Sequence, residues 1–141
     1  MKHIFKEAVK NYLESIEATF DECKSNPKRG LVSKIEITGD ENYDIFIVIP
    51  KKKLDYVANL WFGDSEDYDE KDLLEEITNL IVGNAKMIGE GRGINFEISL
   101  PKFIGEYQKL EYNDILKFKF KNRCFYIILT QKEDIKGKRI G

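Results

Sequence analysis

Asp72-Leu-Leu-Glu-Glu76-Ile-Thr-Asn79-Leu-Ile-Val-Gly83-Asn-Ala85-Lys86 reads as an amphipathic helix with two unlike faces. Wound at about 100° per residue, Leu73, Leu74, Ile77, Leu80, Ile81, Ala85 and, just beyond the stretch, Ile88 make one apolar stripe. Asp72, Glu76, Asn79 and Gly83, at spacings of four, three and four, share the opposite side. An acid, an acid, an amide and a gap therefore lie along one exposed ridge. Residues 64–76 carry eight acids against a single lysine, Lys71, and such a surplus suits a helix N-terminus, where the backbone dipole favours negative charge. The helix is predicted to run to about Ile88. Its apolar stripe needs a partner layer, and the rest of the chain has to supply one.

Downstream, Gly89-Glu-Gly-Arg-Gly93 reads as a loop that ends the helix rather than a phosphate cradle, and no Gly-x-x-x-x-Gly-Lys loop occurs elsewhere. Ile94, Phe96, Ile98 and Leu100 then alternate with Asn95, Glu97 and Ser99 up to Pro101, which predicts a half-buried strand. Leu116 to Lys121 alternates in the same way, and Cys124 to Thr130 is an apolar run; with Asn122-Arg123 at the turn they predict a hairpin. Upstream, Phe5, Val9, Tyr12, Leu13, Ile16 and Phe20 recur at helical spacing over residues 4–20, and Ser25 to Gly30 breaks the pattern. Leu31 to Thr38 and Asp44 to Pro50, separated by Gly39-Asp-Glu-Asn42, predict a first hairpin. Leu54, Val57, Leu60 and Trp61 mark a short helix stopped by Gly63.

The order helix, two strands, short helix, long helix, strand, two strands implies an α+β fold: an antiparallel or mixed sheet of five or six strands with helices packed on one face. Helix followed by strands occurs twice, around residues 3–50 and 69–131, which points to an internal pseudo-repeat. No linker divides residues 1–141, so a single domain is expected. Lys132 to Gly141 is expected to be a solvated end.

Composition narrows the function. The 23 basic and 25 acidic residues leave a formal charge of −2, which gives no general basis for gripping nucleic acid or an anionic membrane. Charges at the start of the chain and the lack of a long apolar run predict neither a signal peptide nor membrane insertion. Cys23 and Cys124, far apart and without a Cys or His neighbour at ligand spacing, are expected to form neither a zinc cluster nor a disulfide framework, so a reducing cytoplasm is the expected compartment. The one histidine, His3, stands near the terminus, which leaves Ser-His-Asp, Cys-His and multi-histidine metal chemistry without residues. No metal site is expected. Any chemistry has to run on carboxylates, amides or a partner's apparatus.

Fifteen Glu and nine Asn in the chain make about one chance Glu-x-x-Asn match expected, so that tetrapeptide alone carries no weight. Its surroundings do. Asp72, Glu76 and Asn79, with Gly83-Asn-Ala85 after them and Pro101 closing the following strand, resemble the CheC/CheX family of chemotaxis phosphatases, whose pattern is an acid or serine, three residues, Glu, two residues, Asn and a later Pro. Here 21 residues separate Asn79 from Pro101, one short of the family's interval. The leading helix, first hairpin, short helix ending at Gly63 and the segment Pro101 to Gly105 also sit where a CheX-type chain has them. CheC-type relatives carry a second Glu-x-x-Asn on the first helix. Here Glu7, Glu14 and Glu17 are followed at the third place by Lys10, Glu17 and Phe20, so one site remains, as in CheX.

The resemblance implies a protein aspartyl-phosphate phosphatase acting on a CheY-like response regulator in two-component signalling. The receiver would supply the acyl phosphate, Mg2+ and a lysine, so the chain would need no cofactor of its own. Asn79 would orient the attacking water and Glu76 would pair with the receiver's lysine. Asp72 and Gly83 would contact the partner, Gly83 by letting its backbone approach, and Pro101 would be structural. A homodimer joined through sheet edges is expected, with Leu116 to Lys121 among the candidate strands. Two alternatives stand beside this reading: a non-catalytic chemotaxis or flagellar-switch adaptor of the same fold, which would not need Asn79, and a small-molecule-binding domain.

Overall fold

The computed structural model describes residues 1–132 apart from residues 17, 19, 20, 64, 65 and 121. The expectations touching Glu17, Phe20, Asp64, Lys121 and the end of the chain from residue 133 lie outside the described residues. In chain order the elements are α1 (Lys2–Ser15), β1 (Asp21–Glu22), β2 (Leu31–Gly39), β3 (Tyr43–Ile49), α2 (Lys51–Phe62), α3 (Glu70–Gly91), β4 (Phe96–Ile98), β5 (Lys102–Glu106), β6 (Asp114–Phe120) and β7 (Arg123–Gln131).

The helix ends follow from local chemistry. Pro50, in extended conformation, precedes α2, and Gly63 closes it in the left-handed region at φ 74° with its N–H on the Asn59 carbonyl, the proline-first, glycine-last asymmetry of helix ends. At the start of α3 the Asp69 carboxylate accepts the Asp72 N–H at 3.0 Å, and Glu70 and Asp72 occupy the first turn, where the helix dipole favours them. α1 begins and ends earlier than its periodicity implies, with Ile16 at its C-terminal boundary.

The sheet is antiparallel throughout, in the order β1-β6-β7-β3-β2-β4, with β5 also pairing β2. The two hairpins are β2–β3 and β6–β7, the latter turned through Asn122 at φ 66°, and they meet along β3 and β7. Each half of the chain repeats one plan: β1, the strand before the first hairpin, pairs with β6 of the second, while β4 and β5, before the second hairpin, pair with β2 of the first. This exchange is the pseudo-repeat.

Among the described residues α1, α2 and α3 pack on one face. Ile45, Ile47, Ile49, Ile127 and Leu129 join the helix-side core with Ile35 and Ile37 of β2. On the other face Phe46, Val48, Tyr126 and Ile128 are buried with Cys23 and Val32 under Tyr107, Leu110, Ile115 and Cys124. The central strands β3 and β7 are thus covered on both sides, which is why they read as continuous apolar runs rather than alternating ones.

Four expectations need correction. Among the described residues the sheet has seven strands rather than the expected five or six, since β1 and β5 are too short or too irregular to show a period in the sequence. The strand expected over residues 94–100 pairs only over Phe96–Ile98: Ser99 donates its N–H to the Glu36 carbonyl and accepts the Glu36 N–H on its hydroxyl, and Leu100 emerges 88% exposed. The Cys23 and Cys124 sulfurs are bonded, contrary to the expectation from their separation, because β6 pairs with both β1 and β7 and so brings the two cysteines together. Finally, β6 is not an open edge along its length, since β1 covers Phe118 and Lys119.

Candidate functional site

α3 buries Leu73, Leu74, Ile77, Thr78, Ile81, Val82, Ala85 and Gly89. Leu80, expected in the core stripe, is instead 43% exposed: it lies at the margin of the stripe, about midway in angle between the core and the ridge. Opposite the core, the structure brings Asp72, Glu76 and Asn79 together on the exposed face, with Gly83 half-buried among them. A Cβ added to Gly83 would meet nothing within 4 Å, so packing inside this chain does not demand glycine there. Its effect is to keep the ground beside Asn79 low.

The helix carrying these groups is held from both sides. Toward the sheet edge, Phe103 of β5 donates its backbone N–H to Glu75 Oε2 at 3.0 Å, and Lys86 pairs with Glu97 of β4 at 3.2 Å. Toward α1, Asn11 Nδ2 donates to Asn84 Oδ1 at 2.7 Å. Within α3 the Thr78 hydroxyl donates to the Leu74 carbonyl. Among the described residues, by contrast, the side chains of Glu76 and Asn79 have no hydrogen-bond or ion-pair partner. A carboxylate and a planar amide one turn apart, both uncommitted, thus stand on a fixed helix, ready to engage groups from outside.

Exposed apolar side chains lie on the same helix and on the segment that is bonded to it. Leu80 and Met87, 43% and 69% exposed, flank Gly83 on α3. Leu100 and the half-exposed Ile104 lie on the segment that passes Glu75. Pro101, half-buried, sits between β4 and β5, two residues before the Phe103 bond to the helix. Glu75 was missed by the sequence reading; as an off-ridge neighbour of Glu76 it carries no signal in the spacing, and only the register of β5 reveals its role. Among the described residues no group of three or more His, Cys, Asp or Glu is placed to hold a metal ion, and no helix is long and apolar enough to cross a membrane.

Among the described residues, the seven-stranded antiparallel sheet with helices on one face is a CheC-like fold. The solved structures agree. A CheC-like superfamily protein from Shewanella sp. PV-4 superposes with a TM-score of 0.74 at 20% identity, over 93% of this chain and 96% of that one. The chemotaxis protein CheX from Desulfovibrio desulfuricans gives 0.71 at 23% identity, over 92% and 97%. A chain of the CheX–CheY–BeF3–Mg2+ complex from Borrelia burgdorferi gives 0.72 at 18% identity, over 93% and 97%. A comparison with curated protein sequences returns no match. The sequence profile described as "Chemotaxis phosphatase CheX" matches residues 31–114, and the chain belongs to that family. The matched region contains the whole ridge and Pro101.

Proposed function

We propose that this chain hydrolyses the aspartyl phosphate of a CheY-type response regulator, with Asn79 and Glu76 as the residues that carry the reaction. The observation behind this reading is the pair of exposed, uncommitted side chains on a helix otherwise fastened to α1, β4 and β5, in a chain of the CheX family. The receiver brings the acyl phosphate, the Mg2+ and a lysine. This chain then has to position water and nothing more.

An asparagine amide offers an acceptor oxygen and two N–H donors in one plane and does not titrate, so it holds a water in line with phosphorus at any physiological pH. Water oxygen bonds to phosphorus as the bond from phosphorus to the aspartyl oxygen breaks. The aspartate leaves as a carboxylate, and the water's protons pass to the released phosphate and solvent. Glu76 pairs with the receiver's lysine and fixes the docking. Asp72 adds charge at the rim, Gly83 admits the partner's backbone, and Pro101 shapes the segment that passes the helix. The chain works as a homodimer.

Phosphate release from phosphorylated receivers of the same cell, followed with and without the purified protein, tests this. Faster release, stopped by EDTA acting on the receiver's metal, is the expected result. Release at the receiver's own rate would favour an adaptor of the same fold.

A further inference from the structure

Although the chain is slightly acidic overall, its cations are not evenly spread. A cavity of about 570 Å³, at the end of the sheet where α2 and α3 begin, is lined by Lys28, Arg29, Lys51, Lys52 and Arg123 against only two carboxylates, Glu70 and Glu106. Glu70 is already engaged by Lys51, which also bonds Asp55. Among the described residues Lys28, Arg29, Lys52 and Arg123 have no ion-pair partner. Five cations against two carboxylates leave the lining net positive by three charges, and the unpaired cations on one concave surface repel one another, which an incoming anion relieves.

The backbone fixes their convergence. Gly30 adopts φ 131°, and a Cβ there would lie 3.0 Å from the Ile49 carbonyl oxygen. Glycine at this point therefore lets the loop carrying Lys28 and Arg29 lie directly against the end of β3, beside Pro50 and Lys52. The Gly30 carbonyl accepts the Tyr107 N–H at 2.8 Å, which ties the end of β5 and the Tyr107 side chain to the same wall. The Asn122 turn places Arg123 on the remaining side. The α2 N-terminus, with its free backbone N–H groups, opens beside the same cavity and adds to the positive potential.

We propose that this cavity binds the phosphate groups of a small polyphosphorylated molecule of nucleotide size, at a site separate from the α3 ridge. The volume falls within the range of small-ligand pockets, arginine and lysine are the side chains suited to phosphate oxygens, and Tyr107 is the aromatic surface in the wall against which a base can pack. This assignment stands independently of the phosphatase reading.

The experiment is titration of the full chain with GTP, tripolyphosphate and guanosine, read by calorimetry and by backbone amide NMR shifts. The chain is taken as wild type, as Lys52→Glu with Arg123→Glu, and as the control Lys10→Glu on α1. GTP is expected to bind wild type and the control alike, to shift the amides of Lys28 to Gly30, Lys52 and Arg123, and to bind the doubly reversed variant at least about tenfold more weakly. Tripolyphosphate binding at the same amides, with none by guanosine, supports recognition through phosphate, and tighter binding of GTP than tripolyphosphate adds the base. Absence of binding by both GTP and tripolyphosphate at roughly millimolar concentration, far weaker than a functional pocket requires, would overturn the proposal. Equal weakening in Lys10→Glu, or guanosine binding as well as GTP, would overturn it too.

Discussion

The backbone N–H of Phe103 donates to Glu75 Oε2 at 3.0 Å, so β5 is fastened to α3 at the residue beside Glu76. Glu75→Ala leaves that N–H without its acceptor at a half-buried position, a loss of about 1 kcal/mol, or roughly 3 °C in Tm for a domain of this size. Glu75→Gln keeps an acceptor oxygen and should recover most of it. A melting temperature unchanged in Glu75→Ala would show that the bond holds nothing.

Glu76 lies on the same turn but faces outward, and its predicted effect is on binding rather than stability. A charge-assisted contact with a lysine at a partly dry interface contributes on the order of 1.5–3 kcal/mol, so Glu76→Ala should weaken receiver affinity about ten- to a hundredfold. Calorimetric titration with the receiver checks this, and an unchanged affinity would contradict the docking role.

Acid should weaken the end of the sheet nearest Lys132. Lys132 pairs with Glu36 at 3.1 Å and with Asp44 at 3.0 Å, and Lys34 stands 3.8 and 3.7 Å from the same two carboxylates. The hydrogen bond and charge of Lys132 hold Glu36 below the ordinary carboxylate range. A carboxylate lowered on folding contributes stability that is complete above its unfolded value, about 4.3, and lost as pH falls through its folded one. Urea unfolding at about pH 5 and about pH 3 should show that loss in wild type and a smaller one in Lys132→Met, where the partner is already gone. The same acid loss in both proteins would contradict this origin.

Association is read by light scattering. A dimer mass at roughly tens of micromolar is the expected result, since association is concentration-dependent, and the exposed outer side of β4 and β5 is an edge available for pairing. A monomer mass would remove the dimer from the proposal.

The two hairpins, the short helix and α3 were legible because their signals are local: Pro50 and Gly63 bracket α2, and the apolar runs of β3 and β7 need no knowledge of their neighbours. Alternation at Ile94, Phe96, Ile98 and Leu100 gave the correct faces for the first three and the wrong length, since a strand lasts only while its partner still has pairing to offer, and β2 is shared between β4 and β5. Cys23 and Cys124 were misread because spacing along the chain does not measure distance across a sheet. At the candidate site, helical spacing put Asp72, Glu76, Asn79 and Gly83 on one ridge, while their roles came only from the resemblance to the CheC/CheX family. Glu75 was not legible, as its partner is a backbone N–H that no side-chain pattern encodes.

The most direct test is the turnover of Asn79→Ala on phosphorylated receiver. Asn79 is exposed and contributes nothing to the buried stripe of Leu73, Ile77 and Ile81, so the variant should keep its fold, its association and nearly all of its receiver affinity. Losing the group that aligns water should lower the dephosphorylation rate by roughly two or more orders of magnitude, about 3 kcal/mol of barrier, and Asn79→Asp should do no better because it sets a negative charge beside a phosphoryl group. A collapse of turnover with affinity preserved is the predicted result; dephosphorylation by Asn79→Ala as fast as by wild type would contradict catalysis through this ridge.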